Sequence, residues 1–461
     1  MKGNLWSKWS RMAATGLLGV TVMLGSTALT VKAEQPAVPT PSISAWSIPT
    51  LNDGEKYGIY PLNWYYDGSF QQPIDAAKFK QLIEATAAKL DQIGLKKTAA
   101  PLSLSIDSST ITRDTVTRSI YGLLTRYELP AAFGTGDADP IAYLQKNGIV
   151  QGTGEGLELD QPCTVEQAVV LATRLVQFSY DTAEEGAKGV FWKVTNDKNT
   201  LYLLGSVHLG IPEMYPLEKK IRDAFDASDD LWVEADTLTG DMSVFTNQMM
   251  YDDGTTIKDH VSKETYEKLQ QVLKKIGIPE QAFDGFKPFA VSTNLSTFTL
   301  FEKLEQAEAA AASGIDHYFL VKALLSNKPI YELESIQFQA DVFASLTPEA
   351  QEKDLNTLLD TLLVDGGKES AASFKQLQLD WADGDAKAVA DGLIRGGLME
   401  GELNKKLIGE RDKNMAKKLA ELLEQDGERT SFVVVGSAHY VVKDMVIDQL
   451  KAKGYDVQPV Q

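Results

Sequence analysis

Cysteine is almost missing. Cys163 is the only one in 461 residues, so no disulfide can form within this sequence and no metal site can be built from several thiolates. Its neighbours mark it as a buried or turn-lining thiol rather than a nucleophile. Histidine is scarce as well. With four in the chain, imidazole chemistry must draw on His208, His260, His317 and His439. Two common catalytic signatures are absent. There is no G-x-S-x-G elbow, which counts against the usual serine hydrolases. There is no H-E-x-x-H pair, which excludes a thermolysin-like zinc peptidase on motif grounds. Basic residues are outnumbered 45 to 64 by acidic ones, and the net charge is −19. Most of such a surface repels nucleic acid and anionic membranes, so neither is expected as a general partner. A local basic pocket for an anionic polymer stays open.

Only the N-terminus carries an apolar run near bilayer-spanning length. Lys2, Lys8 and Arg11 precede or flank "MAATGLLGVTVMLGSTALTV", and "VKA" at 31–33 offers a small-residue cleavage site. Residues 1–33 therefore read as a secretory signal peptide. The mature chain is expected to be secreted and extracellular, without membrane association after cleavage; an uncleaved anchor is the other reading of that segment. Residues 34–45, Pro- and Ser-rich, read as a linker.

A chain of this length calls for two or more domains. From 46 to 179, apolar residues recur at helical spacing in "AAKFKQLIEATAAKL", "ITRDTVTRSIYGLLTRY" and "TVEQAVVLATRLVQF", with Thr112 placed as a cap of the second. "GTGEG" at 152–156 lacks the long preceding strand and following acid of a dinucleotide loop and reads as a turn. The segments "DPIAYLQKNGIVQGTGEGLELDQPCTVEQAVVLATRL" and "ITRDTVTRSIYGLL" make this region similar to S-layer homology repeats. That resemblance implies a mainly helical domain binding cell-wall polysaccharide, with Arg113 as a saccharide contact. The alternative for Arg113 is a solvated arginine in the first turn of a helix.

From Val190 the texture changes to strand-like runs alternating with long helical patterns, which is α/β. Two stretches share one grammar. "LYLLGSVHLG" and "FVVVGSAHYV" each run an apolar strand into Gly-Ser-x-His, ending on His208 and His439. Sites in α/β sheets collect at strand ends, and glycine there lets the backbone turn and leaves room. Two matching units suggest imidazoles presented toward one point. Between them, "DDLWVEADTL" reads as a strand whose alternation puts Glu234 and Asp236 on one face; the alternative for Asp236 is a turn cap, and for Glu234 a strand-end acid facing solvent. Two imidazoles and a carboxylate suit a divalent cation with an open coordination position, manganese, cobalt or zinc. Such an ion would activate water and polarise a carbonyl. Asp316 reads as a helix cap, Glu334 as an acid able to orient a site group, His317 as a packing residue, and His260 as a surface residue at a helix start.

Gly205–His208, Glu234 in "WVEAD", "SGIDHYFLVKALLSNKPIYELESIQFQ", "ERDKNMAKKL" and "VVVGSAHYV" together make residues 190–461 similar to the TraB/GumN family, related to Tiki-type peptidases. The resemblance implies an α/β domain whose central sheet carries two strand–GxxH units beside a large helical layer or insert, hydrolysing peptide or protein substrates. It implies His208, His439 and Glu234 as metal ligands or acid/base groups. It implies Arg411 as a group that steadies an oxyanion or pairs with a carboxylate. Asp412 stands where many relatives have Asn, which weakens the expectation of a direct role there. Two other functions remain beside the metal-dependent hydrolase: a metal-independent, esterase-like hydrolase with a histidine base, and a peptide-sequestering protein without catalysis.

Overall fold

A computed structural model of the chain describes residues 41–99, 110–135, 139–152, 155–301 and 303–460. The expected targeting segment 1–33 and most of the linker lie outside the described residues. Two compact units result.

The first takes the described residues up to Ala187 together with Pro212–Arg222. It is mainly helical: α1 (Ile48–Lys56), α2 (Ala76–Asp91), α3 (Arg113–Leu124), α4 (Pro140–Lys146) and α5 (Val165–Thr182). Local chemistry starts each long helix. Asp75 accepts from the Lys78 N–H, Thr112 from Thr115, and Thr164 forms a capping box with Gln167, satisfying donors that the first helical turn leaves open. The segments leading into α2, α3 and α5 are laced together, Ile74 N–H to the Cys163 carbonyl and Cys163 N–H to the Ile111 carbonyl, at 2.8 and 2.9 Å. Cys163 is fully buried there, and burial pushes its thiol up to about 12. It is an inert packing group.

The second unit takes Lys188–Ile211 and the chain from Asp223 on. Its centre is a six-stranded mixed sheet, compatible with the expected α/β class: β1 (Val190–Asn196), β2 (Asn199–Ser206), β3 (Asp230–Val233), β4 (Ile330–Glu332), β5 (Thr430–Gly436) and β6 (Val457–Pro459), in the order β4-β3-β5-β2-β1-β6. β4, β3, β5 and β2 are parallel, and at one side β1 runs antiparallel to both its neighbours, β2 and β6. The unbroken apolar run of β5 follows from its central place, buried on both faces. Between β3 and β5 the chain makes a large helical layer. It includes α6 (Lys263–Ile276), α7 (Pro288–Leu300), α8 (Ile315–Ser326), α9 (Ile336–Ala344), α10 (Pro348–Val364), α11 (Lys368–Ala382), α12 (Ala386–Arg395), α13 (Gly401–Leu407) and α14 (Glu410–Leu423). Part of this layer has its own core, in which Leu269, Val272 and Leu273 of α6 meet Val291 and Leu295 of α7 and Leu355, Leu359 and Leu362 of α10. After β5 comes the single turn α15 (Ala438–Val441).

Candidate active site

The parallel register aligns the carboxyl ends of four strands. Val233 lies opposite Val434 and Glu332, and Ser206 opposite Gly436. Both Gly-Ser-x-His units sit at that edge on neighbouring strands, staggered by one residue. Ser437 joins them: its backbone N–H and its hydroxyl both donate to the Ser206 carbonyl, at 2.9 and 2.8 Å.

Of the two roles the sequence gives these glycines, a turn and room, only the second holds. Both lie within strands and neither has a positive φ. What they supply is space. A methyl on Gly205 would stand 2.5 Å from Cγ2 of Val190, and one on Gly436 would stand 3.0 Å from Oε1 of Glu234.

His208 follows β2 with its side chain 71 % exposed. Its Nδ1 lies 2.8 Å from Oδ2 of Asp316, whose Oδ1 accepts from the Ser206 hydroxyl at 2.7 Å. Asp316 is not a cap: Gly314 holds that position of α8, and Asp316 stands in its first turn. Burial would raise the Asp316 carboxyl, but His208 outweighs it and holds it below the ordinary range. In return Asp316 first, with Glu234 adding to it against burial, pushes His208 up to about 9. Water around the exposed ring screens part of that pull.

His439 is the buried counterpart, 6 % exposed. Its Nδ1 lies 2.9 Å from Oδ1 of Asp412, and its Nε2 lies 3.7 Å from Oε1 of Glu234. The Gly409 N–H donates to Oδ2 of Asp412 at 2.7 Å and fixes that carboxylate. Burial pushes the ring down; the Glu234 charge and the Asp412 hydrogen bond outweigh it, and His439 is raised.

Glu234 sits between these pairs, just past β3. Its Oε1 accepts the Gly436 N–H at 2.6 Å; its Oε2 accepts Nη2 of Arg411 at 3.1 Å and Nε2 of Gln339 at 3.4 Å. Burial would raise it, but His439, His208 and Arg411 together hold it below the ordinary range. Arg411 is buried, and grips Glu334 through Nε and Nη2 at 2.9 and 2.6 Å. The carboxylate-pairing expectation for Arg411 thus matches its position, and Glu334 is what orients it.

A model of the TraB/PrgY/gumN family matches residues 190–459, more than half of the chain and nearly the whole second unit. The chain belongs to this family. Among curated relatives it is similar to "Uncharacterized protein YbaP" of Escherichia coli (strain K12) and to the protein of the same description from Shigella flexneri, each 30% identical over 161 residues. That alignment covers 35% of this chain, which spans 56% of each relative's length. No solved structure matches.

Within the TraB/PrgY/gumN domain, local structure decides the other sequence-based expectations. β3 ends at Val233, so alternation does not carry Asp236 to the face of Glu234. Asp236 instead caps the next turn, accepting from the Leu238 and Thr239 N–H groups at 3.0 and 2.9 Å, while Glu332 accepts from its own N–H at 2.7 Å. His260 ends rather than starts a one-turn helix (Ile257–His260), stacked on Tyr251 at 4.1 Å. His317 is half-buried on α8. In the first unit, Arg113 is not a solvated side chain. It is 8% exposed, reaches the Gln151 carbonyl at 3.4 Å and lies 3.9 Å from Glu158. Asp316, Asp412 and Gln339 are site residues that sequence reasoning missed. No local spacing marks them, because each comes to its partner across the fold.

A divalent cation fits this donor set chemically. Each imidazole has Nδ1 on a carboxylate and Nε2 left as a donor, the arrangement that orients metal-bound histidines, and Glu234 adds an oxygen. As arranged, no group of three or more His, Cys, Asp or Glu among the described residues stands at ligating distances.

Proposed function

We propose that the TraB/PrgY/gumN domain is a metal-dependent hydrolase of carbonyl compounds, most simply a peptidase acting on extracellular peptide or protein. One observation carries this reading: two imidazoles at adjacent strand ends are each held through Nδ1 by an aspartate, and a single buried glutamate lies 3.7 Å from the His439 ring and acts electrostatically on both. His208, His439 and Glu234 would hold a manganese, cobalt or zinc ion. When bound, such an ion lowers the pKa of water and polarises the scissile carbonyl.

The chain's own residues perform the rest. Asp316 and Asp412 fix the tautomer and aim of the two rings. Arg411 offsets the charges of Glu234 and Glu334 and keeps Glu234 ionised, the form that a ligand or a general base needs. The carboxylates around both rings favour positive charge there, which an ion or protons can supply. A second reading draws on the same geometry. Glu234 is already neutralised by Arg411 and the Gly436 N–H, so an esterase-like site needing no ion is the alternative. The chain's wider setting is part of the proposal: a secreted, wall-associated protein whose first unit binds wall polysaccharide, with Arg113 as a contact.

The deciding experiment purifies the full chain, quantifies bound metal, and offers it a peptide library with and without chelator. Stoichiometric metal is expected, with hydrolysis abolished by chelation and by His208→Ala. In Glu234→Gln, kcat/KM should fall by roughly a hundred- to ten-thousandfold. Full activity in chelator would leave only the metal-free reading, and no turnover of any library member would sink both.

A further inference from the structure

The second unit holds a groove of about 880 Å³ between α7, α10, α11, α12 and α13, within the size range of ligand-binding clefts. Its floor is apolar, with Phe374, Leu377, Leu393 and Leu398. Its rim carries Asp360, Asp365 and Glu369 against one cation, Arg395. Asp360 also pairs with Lys268, and Asp365 accepts from the Gly367 and Glu369 N–H groups. One large apolar side chain is exposed in this groove, and two more are exposed beside its lining residues in the sequence. Val364, in its wall, is 85% exposed; Ile394 and Met399, next to lining residues, are 47% and 49% exposed. Exposed apolar groups gathered at a cleft mark a binding surface.

Two residues of this floor adjoin elements of the candidate site. Leu377 adjoins Gln378, whose Nε2 donates to the carbonyl of Leu209, the residue after His208, at 2.6 Å. One turn on, Trp381 Nε1 donates to the Gly205 carbonyl at 2.7 Å. On the other side Leu398 packs on Ile408, Val442 and Met445. Ile408 follows the Leu407 carbonyl that takes Nη1 of Arg411, and Val442 closes the turn that carries His439.

We propose that this groove binds the unreacted length of the substrate, an extended polypeptide with apolar side chains on the floor and basic side chains toward the acidic rim. The proposal rests on the hydrolase reading and adds a substrate class to it: apolar-basic rather than acidic sequences. The acid excess selects the charge and the floor selects apolar residues, while α11 and the Leu398–Ile408 contact tie the groove to the elements that carry the strand-end site.

The test uses the full chain carrying His208→Ala, so that binding is read apart from cleavage. Probes are short fluorescein-labelled peptides alternating Leu with Lys, or Leu with Glu, followed by fluorescence anisotropy. The Leu–Lys peptide should bind at least about tenfold tighter than the Leu–Glu one. Ser373→Trp, an exposed groove residue made bulky, should weaken Leu–Lys binding about tenfold, and Glu369→Lys should narrow or reverse the preference. Equal binding of both peptides, or indifference to Ser373→Trp, would overturn the proposal. So would a dimer in gel filtration that Val364→Asp dissolves, since the groove would then be an interface between copies. A peptide that binds in this way but is never cut by the unmutated protein sinks the hydrolase reading and leaves the groove standing.

Discussion

At the scale of single residues, small changes separate packing from electrostatics. Gly205→Ala puts a methyl 2.5 Å from the buried Val190 side chain and 3.1 Å from the Ser437 backbone, and neither can yield easily. A stability loss of roughly 1–3 kcal/mol is expected, read by denaturant titration. Gly436→Ala meets the Glu234 carboxylate at 3.0 Å and, at ordinary contact distance, the His439 ring at 3.7 Å. It should leave the unfolding midpoint close to the parent's while disturbing metal content or turnover; equal unfolding losses in both variants would contradict this. The Asp316 carboxylate is the first cause of the raised His208 pKa. A raised histidine stabilises the fold fully below its unfolded value of 6.5, and that contribution is lost as pH rises through about 9. In Asp316→Asn, with metal removed, the His208 ring should titrate at lower pH by NMR. An unmoved midpoint would show that the pair does not form.

At the scale of elements, α11 connects the helical layer to the end of β2. Trp381 is fully buried and its indole N–H donates to the Gly205 carbonyl at 2.7 Å. Trp381→Phe keeps most of the apolar volume but orphans that carbonyl, which costs roughly 1–3 kcal/mol. Thermal or urea unfolding measures this, and a neutral result would mean the carbonyl finds another donor. Much of the element content was legible. The helices near 76–90 and 164–178 appear as Ala76–Asp91 and Val165–Thr182, and the Thr112 cap is present, because spacing and capping are local chemistry. The end of β3 was not legible. A sequence running "DDLWVEAD" looks continuous, yet pairing with β5 and β4 stops at Val233, and Glu234 turns into the site as a result.

At the scale of the whole molecule, one buried cation sets a pH dependence. Lys89 is 3% exposed, and its Nζ donates to the Pro212 carbonyl at 2.6 Å and to Gln92 at 2.9 Å. Burial lowers its pKa from 10.5 to about 8, against a smaller upward pull from Glu213. The folded state therefore disfavours the charged form. The penalty is full below about pH 8 and fades as pH rises toward 10.5. Lys89→Met should flatten the rise in unfolding midpoint across that window relative to the parent, by an amount on the order of 1–3 kcal/mol. A parallel pH profile in both proteins would show that burial does not lower the Lys89 pKa.

The sequence by itself determined the change of texture near Val190, three helices of the first unit with the Thr112 cap, the inertness of Cys163 and the two Gly-Ser-x-His units at strand ends. All of these rest on neighbours along the chain, where periodicity and capping act within a few residues. Only the tertiary structure decided what each histidine holds. Asp316 lies 108 residues beyond His208 and Asp412 lies 27 before His439, and hydrogen bonds across such separations have no imprint in local spacing. The reversal at Asp316, from cap to partner, and the recovery of Asp412 share that cause: an acidic side chain is chosen by what the fold brings within three ångströms of it, not by its place in the chain.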